Sequence, residues 1–323
     1  MPAALAPANL VIASQMEDGF NIQLRRHPLA PTLIAAPEAS PWSAASDADV
    51  LITRPSPAWR GAKDLPRPAG WPGRLKWIYS ASAGVDFYPP WLLEASIVTC
   101  GRGVASEEIA DYVVAAIYLR AKDLEAVRAR SFDQWVNVPL GRVAGSTIGL
   151  IGFGAIGEAV ARRALAFGAR VTAARRRRDV PSAVPGVELL DSLEAVVASA
   201  DHLVLALPGT DQTRGLIDAT VLAKAKPTAH LINVGRGSVL DHDALVAALD
   251  AGALGFATLD VTEPEPLPAG HRLWTHPRAR LTPHVASNHT LVRDVFLGKV
   301  SDNLARFARG EDLLDRVDPA SGY

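Results

Sequence analysis

The chain of 323 residues has a single cysteine, Cys100, which excludes an intramolecular disulfide and any all-cysteine zinc site. It has almost no charge of one sign in excess. A formal net charge of −1 argues against nucleic acid or a membrane surface as a main partner. No apolar run approaches the ~20 residues that span a bilayer. The start, MPAALAPANLVIAS, has no basic residue before Arg25, so a secretory leader is not expected. The histidines form no HxH or HExxH pattern, and no metal is expected. Low complexity is confined to one run, Arg175–Arg178. These absences describe a soluble protein of a reducing, cytoplasmic compartment. With 49% hydrophobic and 21% charged residues, the chain has the composition to bury ordinary cores.

At ~150 residues per domain, the length predicts two domains. Short apolar or β-branched runs at 8–14, 47–53, 75–80 and 96–100 predict parallel strands, with a Pro-, Gly- and Trp-rich loop at 54–74. A long helix is expected over 105–129, polar at Ser106-Glu107-Glu108 and apolar at Ile109, Tyr112, Val113, Ala116 and Ile117. A second strand series follows at 146–152, 170–174, 202–207, 229–234, 255–261 and 278–283. The last helix, about 291–309, comes after that series is complete and needs another surface to pack on. The economical arrangement is a chain that starts in one domain, builds a second and returns to the first. The expected fold class is therefore α/β, with two Rossmann-like domains and parallel sheets. The cofactor domain (101–287) is inserted into a discontinuous substrate domain (1–100 and 288–323).

Residues 149–157 read Gly-Leu-Ile-Gly-Phe-Gly-Ala-Ile-Gly, a strand running into a glycine-rich turn and then an amphipathic helix. Gly152 closes the turn, Gly154 lets the main chain approach a pyrophosphate, and Gly157 lets the helix pack on the strand. Backbone N–H groups at the helix start, including those of Ala155 and Ile156, and the helix dipole behind them hold the negative charge. A lone GxGxxG is weak, but this one has the strand before it and the helix after it.

Three further segments fall after strands, where open α/β sheets bind ligands: Asn233-Val-Gly-Arg-Gly237, the stretch 259–268 (LDVTEPEPLP), and Thr282-Pro-His-Val-Ala-Ser287. Together with the fingerprint, and with LKWIYSASAGVDF at 75–87, they resemble the D-isomer-specific 2-hydroxyacid dehydrogenase family, over nearly the whole chain. The resemblance is to its glyoxylate/hydroxypyruvate reductase branch. It implies a catalytic set of Arg236, Glu265 and His284. Reducing a 2-oxo acid needs a hydride at C2, a proton for the forming alkoxide and an anchor for the carboxylate. An imidazole titrating near neutrality suits the proton step. A neighbouring Glu265 favours its charged form, and Arg236 offers a permanently charged fork to the carboxylate and carbonyl oxygens.

The resemblance also implies substrate contacts at Ala83 and Gly84, whose backbone amides cradle a carboxylate, and at Ser287 and Trp135. It assigns Pro208 and Val234 to the cofactor site, and Asp260 to the nicotinamide carboxamide. Phosphite-oxidising relatives carry lysine where this chain has Ala83, and formate-oxidising relatives carry glutamine where it has Glu265, so an organic 2-oxo acid is expected. NAD-selective sites place an acid about 20 positions past the glycines, on the ribose 2′-hydroxyl. Aligned on Gly168-Ala-Arg-Val, that position is Arg175, followed by Arg176. Guanidinium groups there suit a 2′-phosphate, so NADP(H) is expected over NAD(H). The helix after Gly103 and the segment through Trp135 resemble the family's dimer arm, which implies a homodimer through the cofactor domain. A dinucleotide-sensing regulator without catalysis is the alternative reading of the same fold.

Overall fold

The computed structural model describes residues 9–56, 62–94, 97–174 and 184–318. The chain divides into two compact units, one of residues 1–104 with 289–323 and one of residues 105–288.

The first unit opens with β1 (Val11–Ser14), α1 (Asp18–Leu24), β2 (Thr32–Ala35), β3 (Val50–Thr53), β4 (Trp77–Ser80), the single turn α2 (Pro90–Leu93) and β5 (Val98–Cys100). All five strands pair in parallel in the order β2-β1-β3-β4-β5. The second unit runs α3 (Ser106–Lys122), β6 (Thr147–Ile151), α4 (Ala155–Ala166), β7 (Arg170–Ala174), β8 (Val187–Leu189), α5 (Leu193–Ser199), β9 (His202–Leu205), α6 (Ala219–Leu222), β10 (His230–Asn233), α7 (His242–Asp250), β11 (Phe256–Leu259) and β12 (Ala279–Leu281). Its sheet is also all parallel, ordered β12-β11-β10-β9-β6-β7-β8. The chain then returns to the first unit in α8 (His289–Arg309).

Both sheets are covered on both faces, as near-continuous apolar strands require. In the first unit Trp77 and Tyr79, two residues apart on β4, share one face. Trp77 meets Phe307 of α8 at 5.6 Å between ring centroids, and Tyr79 meets Phe296 at 5.0 Å. Ile78 faces the other way, into a cluster with Trp71, Tyr88 and Trp91. In the second unit α3 and α4 close one core over Ile148, Leu150, Val204 and Ile232, and α5 to α7 close another over Leu203, Leu205, Leu231 and Leu259. The same polar device starts each sheet. Asp49, before β3, accepts the Val11 N–H at 3.1 Å, and Asp201, before β9, accepts the Thr147 N–H at 2.8 Å.

The parallel α/β architecture is as read from the sequence, but several elements differ. The helix expected over 105–129 stops at Lys122, because Asp123 turns to φ +28° and its carboxylate accepts the Ala126 N–H. A short side-chain acceptor that tolerates a left-handed backbone ends helices in this way. Strands β2 and β8 and helix α1 were not anticipated; both strands are short edges, and edge strands carry little apolar signal. The 54–74 stretch contains one described 3₁₀ turn, Ala62–Asp64. Among the described residues no helix is long and apolar enough to cross a membrane.

Candidate active site

In the second sheet the order reverses between β6 and β9, and the loops leaving the carboxyl ends of these two strands and of β10 to β12 carry the glycine fingerprint, Pro208, Val234, Arg236, Asp260, Glu265, His284 and Ser287. After β6 the chain turns at Gly152, whose φ of +98° is open to glycine at little cost. A β-carbon at Gly157 would stand 2.5 Å from the Gly152 carbonyl oxygen, so α4 approaches the turn more closely than any side chain allows. At Gly154 the same test meets nothing within 4 Å. The first amides of α4, at Ala155 and Ile156, have no helical partner to bond and point out of the helix start. The open position at Gly154 and the close approach at Gly157 suit a pyrophosphate at this helix end. Pro208 follows β9 and is half-buried, its carbonyl accepting the Thr213 hydroxyl at 2.6 Å, and Val234 is buried at the end of β10. Arg175 and Arg176 lie outside the described residues.

Past β10, Asn233 shapes the loop that presents Arg236. Its amide nitrogen donates to the Arg236 carbonyl at 3.0 Å, and its oxygen accepts the Gly235 N–H at 3.1 Å. At Gly237 a β-carbon would fall 1.9 Å from the Thr262 carbonyl carbon. The Arg236 loop and the loop after β11 are therefore pressed together at their backbones, and only glycine fits. The second of these loops carries Glu265, and Thr262 steadies it with a hydroxyl donated to the Pro264 carbonyl at 2.9 Å.

His284 follows β12 with a φ of +54°. Asp260, the residue after β11, holds it there. The Asp260 carboxylate is 2% exposed and accepts the Thr282 hydroxyl at 2.6 Å and the N–H groups of Val285 and Ala286, each at 2.9 Å. The His284 N–H itself donates to the Asp260 carbonyl at 3.0 Å. The Thr282 proton goes to Asp260, so Tyr112 of α3, 2.6 Å from the same oxygen, is the donor in that contact.

The trio converges. His284 Nδ1 lies 2.7 Å from Glu265 Oε1, with both side chains about half exposed. The Glu265 hydrogen bond, outweighing burial, raises the imidazole pKa above its ordinary value, and the Glu265 charge adds to this while Arg236 opposes it. Burial acts to raise the Glu265 carboxyl, but the bond and charge of His284, with Thr262 and Arg236, bring it below the usual range. With Nδ1–H bonded to the carboxylate, the other ring nitrogen, Nε2, is turned away from it.

In the first unit, the loop after β4 places Ala83 exposed and Gly84 half-buried. Ser82 donates its hydroxyl to the Gly84 carbonyl, and among the described residues the amides of Ala83, Gly84 and Val85 donate to no protein acceptor. Ser287 is half-buried beyond the His284 loop. Trp135 stands 84% exposed after α3, beside Phe132 at 94%. Sequence reasoning missed Asn233, Thr282 and Tyr112 as supports of the site. The first two stood inside recognised motifs, whereas Tyr112 read only as part of an apolar helix face. Among the described residues no cluster of three metal-ligating side chains occurs.

Comparison with known proteins identifies the family. Residues 114–286, more than half of the chain, match the family profile described as the NAD binding domain of D-isomer specific 2-hydroxyacid dehydrogenase. The glyoxylate/hydroxypyruvate reductase A of Serratia proteamaculans is 31% identical over 265 residues, covering 78% of this chain and 82% of that protein. Among solved structures, a D-isomer specific 2-hydroxyacid dehydrogenase of Xanthobacter autotrophicus, in complex with NADPH and MES, aligns with a TM-score of 0.79 and 29% identity over 98% of this chain and 99% of its own. An NADPH-dependent glyoxylate/hydroxypyruvate reductase of Sinorhizobium meliloti, in complex with NADP and sulfate, aligns with a TM-score of 0.78 and 28% identity over 98% of this chain and 100% of its own. Fingerprint, sheet order and relatives agree: the chain belongs to the D-isomer specific 2-hydroxyacid dehydrogenase family and is an oxidoreductase of the nicotinamide-binding kind.

Proposed function

We propose that the protein reduces a small 2-oxo acid, glyoxylate, hydroxypyruvate or a similar compound, to the D-2-hydroxy acid, with NADPH preferred over NADH. The observation that carries this reading is the His284–Glu265 pair at 2.7 Å, with Arg236 near enough to act on the charge of both. The nicotinamide, when bound, supplies the hydride. His284 holds the proton to be delivered on Nε2, while its Nδ1–H stays on Glu265 and fixes the ring's orientation. Delivering that proton to the carbonyl oxygen leaves a neutral imidazole, and the reverse transfer serves oxidation. Glu265 stabilises the charged donor between turnovers. Arg236 supplies a fork of N–H groups for the carboxylate and for negative charge developing on the neighbouring oxygen. In the first unit, the amides of residues 83–85 form by themselves a turn suited to a carboxylate.

Glyoxylate and hydroxypyruvate are named because relatives with about 30% identity act on them, as their names state. The NADPH preference rests on Arg175 and Arg176 and on the dinucleotides bound by those two solved relatives. Asp260 serves first to place the His284 loop, and three donors engage its carboxylate from the protein side. The nicotinamide carboxamide is assigned to what remains of its accepting capacity. A homodimer through the cofactor unit would cover the exposed Phe132, Trp135 and Val136.

Loss of nicotinamide absorbance with a panel of 2-oxo acids, run with each dinucleotide, tests the reading. Turnover of small 2-oxo acids, faster with NADPH, is expected. Dinucleotide binding without turnover of any acid would instead make the protein a sensor.

A further inference from the structure

The starting ends of strands β9 to β12 hold a cluster of histidines and arginines that the reaction does not use. His202, His230 and Phe256 are the first residues of β9, β10 and β11, and Arg280 is the second of β12. Strand register sets His230 between His202 and Phe256. Val204 and Ile232, two residues further along, lie in the core under α3, so the two histidines are on that face. The last turn of α3 brings Arg120 to the same place. Its guanidinium carbon lies 5.2 Å from the Phe256 ring centroid, and that of Arg280 lies 5.8 Å from it.

Among the described residues, neither guanidinium has a carboxylate at ion-pair distance. The acid next to His202, Asp201, is engaged by the Thr147 N–H and by Lys226 at 2.7 Å. Behind the arginines, the His202 and His230 rings meet edge to face at 5.6 Å. Both are more than nine-tenths buried, and among the described residues the Nδ1 atom of each has no partner. His230 Nε2 is 2.8 Å from the Thr258 hydroxyl. When Thr258 donates in that contact, a neutral His230 carries its proton on Nδ1, as a donor. Buried ring nitrogens are rarely left unbonded, and guanidinium forks are suited to oxyanions.

We propose that Arg120, Arg280 and the His202–His230 pair form an anion site that takes an oxyanion of the phosphate class, at the end of the sheet remote from the catalytic loops. A bound anion there bridges α3 to β12. Those elements are already joined at the other end by Tyr112 and Thr282, and β12 leads directly into His284. The inference does not depend on which 2-oxo acid is reduced.

The test is a calorimetric titration of inorganic phosphate into the protein with its dinucleotide site saturated, at ionic strength held constant with chloride. Wild type is expected to bind phosphate, and Arg120→Gln and Arg280→Gln are each expected to weaken it about tenfold. Unchanged dinucleotide affinity in the variants shows that the unit is intact. A parallel titration with glycerol phosphate separates the sources. Tighter binding of the ester identifies a phosphorylated metabolite, and tighter binding of the inorganic ion identifies phosphate itself. No binding in wild type, or equal binding in wild type and the double variant, overturns the site.

Discussion

Asp260 accepts the hydroxyl of Thr282 at 2.6 Å, which ties the end of β11 to the loop that carries His284. Replacing Asp260 with Asn keeps the shape but turns one acceptor into a donor facing a backbone N–H or the Thr282 hydroxyl. Losing charge-assisted bonds of ~1.5–3 kcal/mol each should displace the loop and lower kcat about 10- to 100-fold. Steady-state kinetics beside a thermal melt check this; a kcat equal to wild type would remove the positioning role.

His284→Ala removes the proposed proton donor and should lower kcat about 10²–10⁴-fold, with dinucleotide affinity nearly intact by fluorescence titration. Glu265→Gln makes a subtler point. Glu265 holds the imidazolium pKa above its ordinary value, and reduction consumes the charged form, so the rate falls as pH rises through that pKa. Without the carboxylate the pKa drops, and the alkaline limb of the kcat profile for reduction should move to lower pH. A limb that stays in place would mean another group controls it.

The proposed NADPH preference rests on Arg175 and Arg176. Converting both to Gln should weaken NADPH by roughly 2–5 kcal/mol, the worth of two charge-assisted contacts, and leave NADH nearly unchanged. The ratio of the two dissociation constants is the readout. An equal loss for both dinucleotides would show that the pair does not meet a 2′-phosphate.

Acid should destabilise the second unit through its buried histidines. Burial is the main cause that lowers His202 to about 4, with Asp201 opposing and Arg120 assisting. Burial, then His202, Arg120 and Arg280, lowers His230 to about 3. In the unfolded chain both titrate near 6.5, so between that pH and the native values the unfolded state binds more protons. Stability is therefore full above pH ~6.5 and falls as pH drops, at ~1.4 kcal/mol per unit for each group, or about 3 kcal/mol from His202 alone by pH 4. Urea unfolding across this range measures the slope, which His202→Leu should make shallower. An unchanged slope would assign the acid limb to other groups.

The parts of the site readable from sequence were those made by local chain geometry. The Gly152–Gly157 turn, Arg236 between two glycines, and His284 after Thr-Pro all follow strands whose apolar runs mark where the loops must start. What escaped notice depends on contacts distant in sequence. Tyr112 reaches Thr282 across 170 positions, and Gly237 is required by the backbone of Thr262 rather than by a turn of its own. Similarly, α3 appeared longer than it is because Asp123 stops it through a local side-chain bond, while the residues beyond it still read as helix formers.

Arg236, Glu265 and His284 hang from the ends of three neighbouring strands of one sheet. Short covalent spans and a handful of bonds set their spacing, so this acid–base apparatus is assembled inside a single folded body. Substitutions confined to the first unit should leave the imidazole's titration where it was.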